Sequence, residues 1–183
     1  MKWDALVICS LVPMALTIAG CMQRQGDSPQ STRAPEAVNS TMDVDGSKYL
    51  LDVEPAGALS VIAAREAVQD GEDVLVVGRI GGSESPWVEG RAAFSIVDST
   101  LKACSDIPGD NCETPWDYCC ETHNLPSATA MVKIVDDDGG IVKADARKLL
   151  GVEGLSTVVI RGESVRDNAG NLTILATGVF VRS

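Results

Sequence analysis

The chain has 183 residues, with 26 acidic and 15 basic side chains, so its formal net charge near pH 7 is −11. Residues 50–183 alone hold 21 acidic and 11 basic side chains. This balance argues against nucleic-acid binding and against adsorption to anionic lipid, because both rely on Lys and Arg to neutralise phosphate charge.

The first 20 residues have the layout of an export signal. Lys2 gives a short positive region, and residues 5–19 form a mostly apolar run. As a helix this run spans roughly 22 Å, less than the roughly 30 Å of a hydrocarbon core. The sequence therefore predicts a cleaved signal peptide over residues 1–20.

The end of this run, Ile18-Ala19-Gly20-Cys21, resembles the lipobox of bacterial lipoproteins. The resemblance implies diacylglyceryl transfer to the Cys21 thiol, cleavage before Cys21, and acylation of the new α-amine with a fatty acid such as palmitate. It also implies an extracytoplasmic, membrane-anchored location. Met22 replaces the Asp that commonly retains such proteins at the inner membrane, which favours the outer membrane. The alternative is an ordinary signal peptide, or an uncleaved anchor, in which Cys21 occurs by chance.

Residues 21–49 are predicted to be the lipidated N-terminus and a flexible tether. They are rich in Gln, Ser, Thr, Pro, Asp and Gly and show no apolar periodicity. Such a coil would hold the following domain about 25–30 Å from the bilayer. Residues 50–183 are long enough for one domain with its own core.

The apolar pattern of residues 50–183 changes from helical to strand-like along the chain. Residues 58–69 have helical spacing between a proline and a glycine. Runs of β-branched residues then predict five strands and a short helix between the third and fourth. The strands span residues 73–80, 92–98, 128–135, 155–165 and 172–181, and the short helix spans residues 143–150.

This order of elements is that of the OB fold. We therefore predict a mainly β (α+β) domain, in the form of a five-stranded OB-like barrel with a preceding helix. A generic α+β domain with an open antiparallel sheet is the alternative.

A cysteine-rich loop, residues 99–127, is predicted between the second and third strands. Outside the cytoplasm, clustered cysteines favour disulfide bonds, and three pairings of Cys104, Cys112, Cys119 and Cys120 are possible. The adjacent Cys119 and Cys120 can bond to each other only through a strained ring. We expect each of them to reach back separately to one of the other two.

The same loop has an alternative interpretation as a metal or thiol-redox site. The four thiolates and the imidazole of His123 are suitable ligands for copper(I) or zinc. The spacing is atypical, because the loop has neither the paired Cys-x2–4-Cys of zinc sites nor a Cys-x-x-Cys redox motif. The main interpretation therefore expects no cofactor.

Residues 108–121, Pro-Gly-Asp-Asn-Cys-Glu-Thr-Pro-Trp-Asp-Tyr-Cys-Cys-Glu, resemble uncharacterised bacterial envelope lipoproteins with an OB-like domain. The resemblance covers most of residues 50–183. It implies architecture and location and carries no activity.

The sequence contains no motif for nucleophilic catalysis, phosphate binding or dinucleotide binding, so we expect a binding or scaffold module rather than an enzyme. The candidate contact residues are Trp87, Trp116 and Tyr118. Trp87 follows Pro86 in a Gly-rich loop, and in OB folds the corresponding loop borders the ligand face. An equal alternative is that the tryptophans plug the barrel ends.

The expected partners are the membrane, through the lipid on Cys21, and an unidentified protein or small ligand. An OB protein that binds nucleic acid is the remaining alternative.

Overall fold

A computed structural model describes residues 44–111 and 118–183. The predictions for residues 1–43, which include the signal peptide, the lipidation of Cys21 and most of the tether, lie outside the described residues. So do those for Cys112 and Trp116.

The described part of the chain is mainly β, with a six-stranded mixed sheet and three short α-helices. In chain order the elements are β1 (Leu59–Ser60), α1 (Val61–Ala67), β2 (Asp73–Ile80), β3 (Ala93–Val97), α2 (Leu125–Ala128), β4 (Thr129–Ile134), α3 (Ala146–Leu150), β5 (Thr157–Arg166) and β6 (Leu172–Val181). Single 3-10 turns at Ser47–Tyr49 and Cys104–Asp106 precede β1 and follow β3. None of the helices described here is long and apolar enough to cross a bilayer.

The strands pair in the order β1-β2-β3-β4-β6-β5, and β2 also pairs with β5. The pairs β1–β2 and β4–β6 are parallel, and the others are antiparallel. Each of the five longer strands therefore has a hydrogen-bonded neighbour on both sides. The five correspond to the five predicted strands to within two residues at each end.

The predicted strand count of five was wrong, because the structure has a sixth strand, β1. Leu59 and Ser60 pair in parallel with Val76 and Val77, in a segment predicted to be helical. The helix begins only at Val61, because extended Ser60 caps it and its Oγ accepts a hydrogen bond from the Ala63 backbone N at 3.2 Å. A strand of two residues is too short to produce a periodic signal.

Alternating residues of the strands fill a main core. In β2, for example, Val74, Val76 and Ile80 are buried and the intervening residues are more exposed. A separate, smaller core lies where the chain leaves β3. Its buried members are Val97, Leu101, Ala103, Tyr118 and Ala128. Residues 99–127 are called the cysteine segment below, and three of its described residues, Leu101, Ala103 and Tyr118, are buried in this cluster.

Asp98 fixes the start of the cysteine segment. Its carboxylate is fully buried and accepts hydrogen bonds from the backbone N of Ile62 at 2.8 Å and of Thr100 at 3.0 Å. Burial alone would raise the pKa of Asp98, but the hydrogen bonds from Ile62, Ser60 and Thr100 bring it below the ordinary value. Asp98 thus joins the end of β3 to the first turn of α1.

Candidate functional site

Trp87 lies in the loop between β2 and β3 and is held against the main core. It forms an isolated antiparallel bridge with Phe94, and their ring centroids are 5.8 Å apart at an interplanar angle of 54°. Phe94 is fully buried, whereas Trp87 is half-buried. A tilted aromatic pair of this kind is favourable beyond its buried area. The indole is therefore fixed in place while part of it remains accessible.

A positive charge is held over the Trp87 ring. The guanidinium carbon of Arg147, in α3, lies 5.6 Å from the ring centroid, which is a cation–π distance. Asp145 fixes that guanidinium, accepting hydrogen bonds from Arg147 Nε at 3.0 Å and Nη2 at 2.5 Å. These side-chain bonds lower the pKa of Asp145 to about 2. Trp87, Phe94, Asp145 and Arg147 are referred to below as the Trp87 corner.

The Trp87 corner borders an open pocket of about 700 Å³, a volume typical of small-molecule sites. Glu84 and Glu153 contribute carboxylates to its lining, and Lys148 adds a second cation beside Arg147. Gly151 ends α3 in a left-handed conformation, with φ 65°. Residues 151–154 then form part of the pocket wall. The pocket therefore combines an aromatic edge with two acidic and two basic side chains, which can accept and donate hydrogen bonds.

A larger open pocket, of about 1020 Å³, lies against β2, β5 and β6. It has acidic residues such as Asp73 and Glu163 around Arg161, and an apolar floor that includes Leu75 and Leu175. It contains no aromatic side chain. We therefore regard the smaller Trp87 pocket as the candidate site, because aromatic and convergent polar groups are typical of ligand pockets.

The structure brings two of the predicted disulfide candidates together. The Sγ atoms of Cys104 and Cys119 are 3.1 Å apart, and those of Cys119 and Cys120 are 4.0 Å apart. Cys104 is buried in its 3-10 turn, while Cys119 and Cys120 are exposed. Across residues 44–111 and 118–183, no group of three or more His, Cys, Asp or Glu residues is arranged to hold a metal ion. His123 is exposed in the turn before α2.

Tyr118 is buried, with 1% of its surface exposed, so it is not part of a contact surface as the sequence suggested. Its ring packs in the smaller core with residues such as Leu101 and Ala128. Among the described residues, no side chain or backbone group forms a hydrogen bond with its hydroxyl. Burial raises the pKa of Tyr118, and the nearby Arg79 and Asp106 act on it in opposite directions.

Sequence reasoning identified Trp87 but missed Asp145 and Arg147. A helix N-cap at Asp145 was the available signal, since Asp before a short helix is a common cap. The sequence gives no sign that the helix lies beside Trp87.

Comparison of the chain with family models and with curated proteins gave no match. The function proposed below therefore rests on the residues of this chain.

Proposed function

We propose that this chain is a lipid-anchored, extracytoplasmic binding module of the cell envelope, and that the Trp87 pocket is its ligand site. The lipobox-like residues 18–21 and the apolar run before them support the location. The observation that carries the binding role is the fixed Trp87 corner beside an open pocket of about 700 Å³. A site that is already ordered loses little side-chain freedom when a ligand binds.

We also infer that the five longer strands form an OB-like barrel. In support, β2 pairs with both β3 and β5, β4 and β6 are parallel, and α3 lies between β4 and β5. In OB folds, the loop between the first two barrel strands contributes to ligand binding. The corresponding loop here carries Trp87.

The charges of the pocket favour a neutral or zwitterionic ligand. The lining includes two carboxylates, Glu84 and Glu153, and two cations, Arg147 and Lys148, so it has no excess of either sign. The chain as a whole has a net charge of −11, which disfavours polyanions. A polar ligand with hydroxyl or amide groups and one apolar face fits this lining. We therefore propose cell-wall glycan fragments as the ligand class.

The binding proposal can be tested on the purified, full-length lipidated chain in detergent. We expect saturable binding of soluble muropeptides or of neutral N-acetylglucosamine oligomers, measured by calorimetry. The Trp87→Ala variant should bind at least about tenfold more weakly, because truncating a central aromatic anchor usually costs over 1.4 kcal/mol. Val53→Ala, at an exposed apolar residue outside the pocket lining, is the control and should bind as the wild type does. Equal binding by both variants, or no saturable binding of either probe, would overturn this assignment.

The anchoring proposal has a separate test in intact mass measurement of the membrane fraction. We expect a mature chain that begins at Cys21 and carries the mass of its acyl groups. Cys21→Ser should lose those masses and leave the membrane fraction. A wild-type chain that starts at Met1 without acyl groups contradicts the proposed location.

A further inference from the structure

The chain on the N-terminal side of the cysteine pair is held in place by its own hydrogen bonds. Cys104 opens a 3-10 turn in which the Ile107 backbone N donates to the Cys104 carbonyl at 3.0 Å. The Asp106 backbone N donates to the carbonyl of buried Ala103 at 2.9 Å. The Cys104 side chain is therefore positioned by the turn and by the smaller core.

On the other side, Cys119 is positioned by its neighbour Tyr118. The ring of Tyr118 is buried in the smaller core, and its carbonyl accepts a hydrogen bond from the Glu121 backbone N at 2.8 Å. Cys119 follows directly and is exposed. Both cysteines are thus attached to the same small cluster of buried side chains.

Among the described cysteines, the sulfur positions favour one partner for Cys119. The Sγ atoms of Cys104 and Cys119 are 3.1 Å apart, so an approach of about 1 Å brings them to bonding distance. Cys120 lies farther from Cys119, at 4.0 Å between the sulfurs, and those two residues are adjacent in the chain. Cys104 is therefore the better partner for Cys119 among the described cysteines.

We propose that Cys104 and Cys119 form a disulfide bond with each other. Formation begins when the exposed Cys119 thiolate attacks the disulfide of a protein thiol oxidase, giving a mixed disulfide and releasing one oxidase thiolate. The Cys104 thiolate then attacks the Cys119 sulfur and displaces the second oxidase thiolate. In total, two thiols lose two protons and two electrons, and the oxidase disulfide is reduced to a dithiol.

The bond ties together two points that are 15 residues apart in sequence, on either side of residues 105–118. It would hold Tyr118 in the smaller core. Its formation in cells depends on the extracytoplasmic location proposed above, whereas the choice of partner depends only on the structure.

The test compares two variants of the full-length chain that each retain two cysteines of the segment. The variant Cys112→Ser/Cys120→Ser keeps Cys104 and Cys119. The matched control, Cys112→Ser/Cys119→Ser, keeps Cys104 and Cys120. Each is incubated with glutathione disulfide, alkylated, and cleaved before Asp and after Glu for mass spectrometry.

We expect the first variant to yield a peptide containing Cys104 linked to one containing Cys119, with both thiols protected from alkylation. The control should yield no such link, and its two thiols should be alkylated or should carry glutathione. Alkylation of Cys104 in the first variant, or equal linkage in the control, would overturn the pairing. So would one equivalent of bound zinc or copper, with both thiols reduced, in wild-type protein purified without reductant.

A sample of wild-type cells alkylated at lysis separates this inference from the proposed location. Linkage of Cys104 to Cys119 in those cells supports both. Linkage with glutathione disulfide but reduced thiols in cells upholds the pairing and contradicts export. Linkage of Cys104 to another cysteine in the cells contradicts the pairing alone.

Discussion

The Trp87 corner and the cysteine segment both lie outside the long strands, but different interactions hold them. The corner is fixed by a backbone bridge between Trp87 and Phe94 and by the ion pair that places Arg147 over the indole. The described part of the cysteine segment is held by its buried side chains and by the close approach of Cys104 to Cys119. Reduction should therefore remove a stabilising bond from the cysteine segment and leave the interactions of the Trp87 corner unchanged.

Removing the Phe94 ring, which packs against Trp87, should have the largest effect on the free energy of unfolding. Phe94→Ala deletes a fully buried ring in the main core, and we expect the free energy of unfolding to fall by about 3–5 kcal/mol. Denaturant titration measures this loss. Trp87→Ala, at a half-buried position, should cost less. Formation of the Cys104–Cys119 bond in Phe94→Ala should be unchanged, and its loss would contradict the independence of the two regions.

Reduction of the cysteine pair should have the next largest effect on the free energy of unfolding and should leave the Trp87 corner unchanged. For a loop of this length, a disulfide contributes about 3 kcal/mol through the unfolded state. Dithiothreitol should lower the free energy of unfolding of the Cys112→Ser/Cys120→Ser variant by about that amount. Cys104→Ser/Cys119→Ser should not respond in this way. Ligand binding at the Trp87 pocket should survive reduction, and its disappearance would show that the regions are coupled.

Removing the Tyr118 hydroxyl should change the free energy of unfolding by less, and in the opposite direction. Tyr118→Phe removes a buried polar atom that has no hydrogen-bond partner in residues 44–111 and 118–183, so we expect a gain of about 1 kcal/mol in the free energy of unfolding. Tyr49→Phe, at another buried tyrosine, should bring no comparable gain. A loss of stability in Tyr118→Phe would mean that the hydroxyl is hydrogen-bonded in solution.

The smallest effect concerns the charge pair in the Trp87 corner. Because the pKa of Asp145 falls from 3.8 to about 2 on folding, its contribution is complete above pH 3.8 and is lost as the pH drops through about 2. About a third of the side chain is exposed, so the contribution is about 1 kcal/mol or less. Asp145→Asn should remove this pH dependence. Asp137→Asn, at a fully exposed carboxylate, is the control that should not.

A stability difference between wild type and Asp145→Asn that stays constant from pH 5 to pH 2 would contradict the ion pair. Glycan affinity should also fall in this variant, because Arg147 loses the carboxylate that orients it over Trp87.

Local sequence patterns were sufficient to locate the longer strands. Runs of β-branched residues bounded by glycine and turn residues predicted all five to within two residues at each end, since strand formation leaves a local, alternating pattern. The short helix was also recognised, although the structure begins it at Ala146 rather than at residue 143. Trp87 and the cysteines could be singled out as candidate residues for the same reason, because residue type and spacing are local properties.

The contacts of those residues, by contrast, depend on how distant parts of the chain pack together. Strand β1 forms because Leu59 and Ser60 meet β2, and no pattern of two residues could indicate that pairing. Tyr118, which the sequence suggested as a contact residue, is buried by packing against the smaller core. The cation–π contact of Arg147 with Trp87 and the close approach of Cys104 to Cys119 likewise join residues that are separated in the chain. Such contacts depend on how the strands pair, and local sequence patterns do not encode that information directly.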